Sequence, residues 1–455
     1  MGLTLSLVRT FILCICMSVC HSLADLPSNS EPEISDPEIK NTQTTDSLAP
    51  KKLPEKFKKT GIKNHVAAQL ILDRYLLAIE QKESMEGPYN PELAEMLYGL
   101  GNTLQINNQP NKAIAAYRKA LYIKRINNGL HDLSQEAILR GIIKNQMSQG
   151  NITAAAASYG QLLQVFLETY GENNPDLIPL MKEVSQWNVN AYLQTGGRND
   201  GYHLEISFQL YSDAIRLSKE HQGKENINTL SLMNDLTTAC YYLSAHQQLY
   251  PDFGKFGASM PFGYRSMAPT NSVQGRGAYF KHGKLIQEQI LQTLQEGADF
   301  TTIEKALGQT NLGDWYLLFG KYQLALEAHR EAYNIIDGNK KSIETLDKIY
   351  SKPVMLPKRN NFFDFQEPNK SKKITKLNKN SYQINRVNYV NLLVDITATG
   401  KATNFNIKKI HPEEMHEYGE QAIETVRSRK FRPRIKDGLP ELTAEFPIRV
   451  ILPNE

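Results

Sequence analysis

The chain has 455 residues, 41% hydrophobic and 22% charged, enough to bury more than one sizeable core at the composition of an ordinary globular protein. Its formal net charge of +4 is too small over this length to imply a polyanionic partner. Bulk charge therefore gives no argument for nucleic-acid binding.

In chain order, Arg9 precedes an apolar run from Thr10 to Val19, and Ser22-Leu23-Ala24 supplies small residues for cleavage. Residues 1–24 are therefore predicted to be a secretory signal removed after Ala24, the alternative being a retained membrane anchor. Cys14, Cys16 and Cys20 would leave with the signal, and the remaining Cys240 cannot form an internal disulfide. Residues 25–60, rich in Pro, Ser, Asn, Glu and Lys, are predicted to be a disordered tether, since they bury too little apolar surface to offset ordering entropy.

From about Gly61 the apolar spacing becomes helical and continues to residue 345. One stretch sets Leu97, Leu100, Gly101 and Leu104 on a first helix and Ala113, Tyr117 and Ala120 on a second. Another sets Leu312, Gly313 and Tyr316, then Ala325, His329 and Ala332, with Gly320 at the turn. Between them, Ala155 and Tyr159 lie 42 residues after Ala113 and Tyr117, and "NPEL" at Asn90 returns as "NPDL" at Asn174. Tyr211 and Ala214 mark a further, weaker second helix. Small residues let antiparallel helices approach closely, and large ones fill the gap between pairs. This pattern resembles the tetratricopeptide (TPR) repeat family in its longer-loop form, which implies a solenoid presenting a groove to a peptide or protein partner.

Residues 251–277 interrupt the array with Gly, Pro and aromatic residues and no periodicity. The following "GRGAYFKHGKL" lacks the spacing and the Ser or Thr of a phosphate-binding loop. Residues 346–383 are proline-bounded and basic and are predicted to be a linker.

The C-terminal stretch, residues 384–455, switches to period 2. Val390, Leu392, Val394 and Ile396 alternate up to a turn at Gly400-Lys401, and Phe405 and Ile407 come next, which predicts a hairpin. Met415, Tyr418, Ala422 and Val426 predict an amphipathic helix with Pro412 in its first turn. The basic residues Arg427, Arg429, Lys430, Arg432, Arg434 and Lys436 then complement the helix dipole. Ala444, Phe446, Ile448 and Val450 alternate on a third strand, which Pro447 confines to an edge. The predicted fold class is an all-α TPR solenoid followed by a small α/β module of order β-β-α-β.

These last residues carry a second resemblance. Val394, Gly400 and Lys401 in "VDITATGK", and Ala422, Val426, Phe431, Pro433, Asp437 and Gly438 in "AIETVRSRKFRPRIKDG", resemble the C-terminal domain of TonB-type energy transducers. The resemblance implies a Gram-negative envelope, a periplasmic location and docking to an outer-membrane receptor or another envelope protein. Family members also carry an uncleaved membrane helix, a Pro-rich spacer and a Tyr-Pro entry to the first strand. This sequence departs from each, so a membrane-anchored transducer acting with outer-membrane transporters in transmembrane transport is the alternative to an interaction scaffold.

No catalytic, cofactor or metal site is predicted. His411 and His416 are five apart, off the i, i+4 register that would point two ligands together on a helix. No nucleophile elbow, Cys-His pairing or supported carboxylate pair stands out, and an envelope enzyme is left without a residue to carry it.

Overall fold

The computed structural model describes residues 61–253, 277–336, 340–357, 388–436 and 438–452. The expected signal, tether, most of the insertion, much of the expected linker and Asp437 lie outside the described residues.

The array consists of helices α1 (Gly61–Glu86), α2 (Pro91–Ile106), α3 (Pro110–Asn128), α4 (Glu136–Ser148), α5 (Ile152–Tyr170), α6 (Ile178–Thr195), α7 (Gly201–Gln222), α8 (Ile227–Leu249), α9 (Ala278–Glu296), α10 (Thr302–Leu318) and α11 (Tyr322–Asn334). Each even-numbered helix packs against its neighbours before and after, and one apolar core runs from Leu72 to Ala328. The stretch around residues 251–277 joins the two helices of a single pair, α8 and α9, rather than two successive pairs.

The same turn begins four of the even-numbered elements. Gly87, Gly129, Gly171 and Gly223 have φ of 85°, 95°, 78° and 90°, a left-handed conformation that glycine adopts without strain. Three residues later Asn90, Asp132, Asn174 and Asn226 accept the backbone N–H two positions on, at 2.8–2.9 Å. Their ψ angles are 131°, 135°, 128° and 131°. Side-chain acceptors here satisfy donors that a helix start leaves open. The caps recur at intervals of 42, 42 and 52 residues.

Beyond the array the structure differs from the expected linker at residues 346–383. Helix α12 (Lys340–Tyr350) and strand β1 (Val354–Leu356) occupy its first part. Tyr350, Leu356 and Pro357 are buried, an apolar content that outweighs the surrounding lysines.

The C-terminal module contains β2 (Asn388–Ile396), β3 (Ala402–His411), α13 (Glu417–Arg427), β4 (Lys430–Arg432), β5 (Arg434–Lys436), β6 (Leu439–Glu441) and β7 (Thr443–Leu452). Its main sheet has the order β3-β2-β7, antiparallel throughout, with α13 packed on it. Val390, Leu392, Val394 and Ile396 point into a core shared with Tyr418, Ala422, Val426 and Phe431. Pro447 lies on β7, at the sheet edge.

Three details differ from expectation. Pro412 directly succeeds the end of β3, and the helix starts only at Glu417. A register shift beside Val394 and a φ of 50° at Glu445 turn Ala444 outward, so the inner face of β7 is Phe446, Ile448, Val450 and Leu452. The basic stretch reaches the last helical turn only at Arg427; Lys430, Arg432, Arg434 and Lys436 belong to strands.

Candidate functional site: the first-helix row and its occupied end

The second helices of the array carry tyrosines at one repeating position, and each meets the next first helix 24 residues later. A side chain on Gly99 would strike Tyr75, and one on Gly141 would strike Tyr117. One period on, the Tyr159 hydroxyl donates to Glu183 at 3.4 Å. At the fourth position Tyr211, deeply buried, lies close enough to Asp235 for that carboxylate to raise its pKa further after burial has done so. Glycine gives the first two rings room against backbone, whereas an acid takes the place of glycine at the next two.

Those acids are paired with bases on the preceding first helix. Arg140 contacts both Glu183 oxygens at 2.8 Å, and Lys182 reaches Asp235 at 3.6 Å. Arg140 and Lys182 stand 42 residues apart, as do Glu183's and Gly141's positions, so the two ion pairs are one contact repeated along the stack. Burial raises the Asp235 carboxyl's pKa, and Lys182 offsets part of that rise.

Twelve residues after each cap stand Asn102, Lys144, Gln186 and Thr238, none of them buried, and one turn earlier stand Tyr98, Arg140, Lys182 and Asn234. Asn145 bridges from α4 to Gln105 on α2, and Lys182 reaches Ser231 on α8, so the row is continuous across first helices. Carboxamides and hydroxyls both donate and accept, which suits the backbone of an extended chain.

The last pair has the same internal geometry with different chemistry. In the first, a Cβ on Gly101 would lie 2.5 Å from the Tyr117 ring, and the Tyr117 hydroxyl donates to Asn102 Oδ1 at 2.8 Å. In the last, a Cβ on Gly313 would lie 2.5 Å from the His329 ring, and His329 Nε2 lies 3.4 Å from Asp314 Oδ1. Asp314 thus holds the position of Asn102. It accepts a hydrogen bond from Arg432 Nη1 of the C-terminal module at 3.0 Å. Arg432 is 1% exposed, and its guanidinium carbon lies 5.3 Å from the centre of the Tyr350 ring. Tyr350 in turn shares a 2.7 Å hydrogen bond with Thr310, one turn before Asp314.

Strand alternation delivers Arg432 there. β1 and β4 pair antiparallel, Met355 opposite Phe431 and Val354 opposite Arg432. Met355 and Phe431 face the module core, while Leu356 enters the array core. Ile435 of β5 joins Ala306, Ala332, Ile336, Leu346 and Tyr350 in a third cluster that closes the contact. Gly400 fixes the other side of β4: its carbonyl accepts the Phe431 N–H at 2.9 Å, and with φ 73° a Cβ would stand 2.0 Å from the Phe431 carbonyl oxygen.

The residues singled out from sequence fall into two groups. Leu97, Leu100, Gly101, Leu104, Ala113, Tyr117, Ala120, Ala155, Tyr159, Leu312, Gly313, Tyr316, Ala325, His329 and Ala332 are all buried between helices. Val394, Ala422, Val426 and Phe431 lie in the module core, Gly400 and Lys401 at the hairpin turn, and Pro433 and Gly438 are buried beside the array contact. His411 stacks on Tyr389 and His416 precedes α13. Cys240 is buried as a free thiol. Among the described residues no helix is long and apolar enough to cross a membrane. Sequence reasoning missed Asp314, Thr310, Tyr350 and the row from Asn102 to Thr238. The recurring caps, 42, 42 and 52 residues apart, were the signal that could have located the row.

No family model matches this chain, and no curated relative does. Solved structures similar in fold include a kinesin light chain-like protein of Podosopora anserina with nearly identical TPR-like repeats. It is 14% identical over 56% of this chain and 99% of that one, with a TM-score of 0.35. BtubC (BKLC) from P. vanneervenii is 14% identical over 68% of this chain and all of that one, with a TM-score of 0.33. The helical part of this chain is an array of repeated, consecutively packed helix pairs.

Proposed function

We propose that this chain is a non-enzymatic protein-interaction scaffold of a Gram-negative cell envelope, periplasmic once residues 1–24 are removed. The TPR-like array holds an extended segment of a protein partner along the first-helix row, and the TonB-like module contacts an envelope protein. One observation carries the reading: half-buried or exposed polar side chains recur at the same position on α2, α4, α6 and α8, an arrangement suited to main-chain recognition. The test is site-specific photo-crosslinking in the source cell from Gln186 and, as control, from Tyr122 outside the row. Capture of one discrete protein from Gln186 alone, lost on Lys144→Glu with Thr238→Glu, is expected. Equal capture from both positions, or capture indifferent to the two substitutions, would refute it.

The TonB-like reading itself rests on the motif residues. Arg432, Ile435 and Gly438 of that motif stretch face the array, leaving the outer edges of β3 and β7 for an envelope partner. N-terminal sequencing of the purified protein separates the two placements. A start at Asp25 supports the periplasmic form, and a retained Met1 or Gly2 in the membrane fraction supports an inner-membrane anchored transducer.

A further inference from the structure

The row has a fifth position, Asp314, and the chain fills it with its own Arg432. The ligand is well defined: a guanidinium held by a carboxylate at 3.0 Å, over the ring of Tyr350, delivered by a three-residue strand that pairs with β1. Neither partner is more than 8% exposed at its side chain. A buried ion pair of this kind adds little net stability compared with apolar residues of equal volume, yet leaving either partner alone is costly. Its use is selectivity: an arginine is accepted there, and a neutral side chain deprives the buried carboxylate of its guanidinium partner.

We propose that Asp314, with His329 and Tyr350, forms an arginine-recognition site which β4 occupies in cis, so that the C-terminal module is a resident ligand at the end of the row. It rests on the row being a docking surface, but its test does not use the row's partner. An arginine-bearing extended segment would compete by pairing with β1 and placing its guanidinium on Asp314. While β4 is seated, a partner is confined to α2, α4, α6 and α8.

The experiment uses the full chain with a protease site introduced between residues 358 and 387, cut after purification. The two pieces are expected to co-elute on gel filtration, because β1, Leu356, Ile435 and the ion pair all cross the cut. Adding excess synthetic peptide of residues 427–438 should then release the 388–455 piece. The same peptide with Met in place of Arg432 should be at least ten-fold weaker. In the cut chain, Asp314→Asn should weaken association at least ten-fold, and Asp314→Leu combined with Arg432→Met should restore most of it. That restoration distinguishes loss of pairing from loss of folding, with circular dichroism of the uncut variants as a second check. Separation of the wild-type pieces without peptide would overturn the proposal. So would equal displacement by both peptides, or association indifferent to Asp314→Asn.

Discussion

At the scale of single residues, two neighbours on α7 set opposing pH responses. His203 is buried against Trp187, and its Nδ1–H donates to Asn188 Oδ1 at 2.7 Å. Burial lowers its pKa from 6.5 to about 4. Glu205 is pushed by burial from 4.5 to about 7. Between pH 4 and 6.5 the unfolded chain binds a proton at His203 that the native protein does not, so this residue makes stability rise with pH. Between pH 4.5 and 7 the native protein holds a proton at Glu205 that the unfolded chain has released, so this one makes stability fall as pH rises. The two slopes oppose each other across their shared window. Glu205→Gln should expose the His203 slope, at most about 1.4 kcal/mol per pH unit, read as the difference between variant and wild-type urea melts at pH 5 and 6.5. An identical pH dependence for both proteins would contradict this. Gly101→Ala tests the tyrosine step: the added methyl meets the Tyr117 ring, and overpacking should cost about 1–3 kcal/mol in the same melts.

At the scale of elements, Gly400 joins the β2–β3 turn to β4. Gly400→Ala places a methyl against the Phe431 carbonyl at a backbone angle that alanine adopts poorly. The module should lose its ordered sheet signals in NMR spectra while the helical circular dichroism of the array persists. Much of this level was legible in the sequence. Ala113, Tyr117, Ala325 and His329 announce their helices because a 3.6 period and a small-against-large rule are local properties. The alternation from Val390 to Ile396 announces β2 for the same kind of reason. β1 was not legible, since a three-residue strand takes its partner from residues some 75 positions away and has no period of its own. Pro412 misled because a proline that suits a helix start also suits a strand exit. Asp314 was invisible as a site residue: one aspartate in an apolar helix acquires meaning only when Arg432 arrives 118 residues later.

At the scale of the whole molecule, the boundary between array and module is not where composition changes. A fragment of residues 384–455 leaves behind β1, α12 and the Asp314 site, so Arg432 and Ile435 would face water. It should show weaker protection of β4 and β5 in hydrogen exchange than the intact chain, and a fragment starting at residue 300 should recover it. Equal protection in both fragments would show that the module needs nothing from the array. The contact also explains how a stack of repeats ends without an exposed apolar face: stacked units need a different terminal surface, and Ile435 and Leu356 provide it here.

The recurring glycine turn and cap have one more consequence. Gly87 with Asn90, Gly129 with Asp132 and Gly171 with Asn174 each lead into the next helical element through the same backbone angles and the same bond. The chain therefore carries evenly spaced seams, and a cut-and-rejoin at two of them removes one whole period without twisting the remainder. Lengthening or shortening by such steps would change the length of the proposed docking row, while leaving the Asp314–Arg432 contact at the far end untouched.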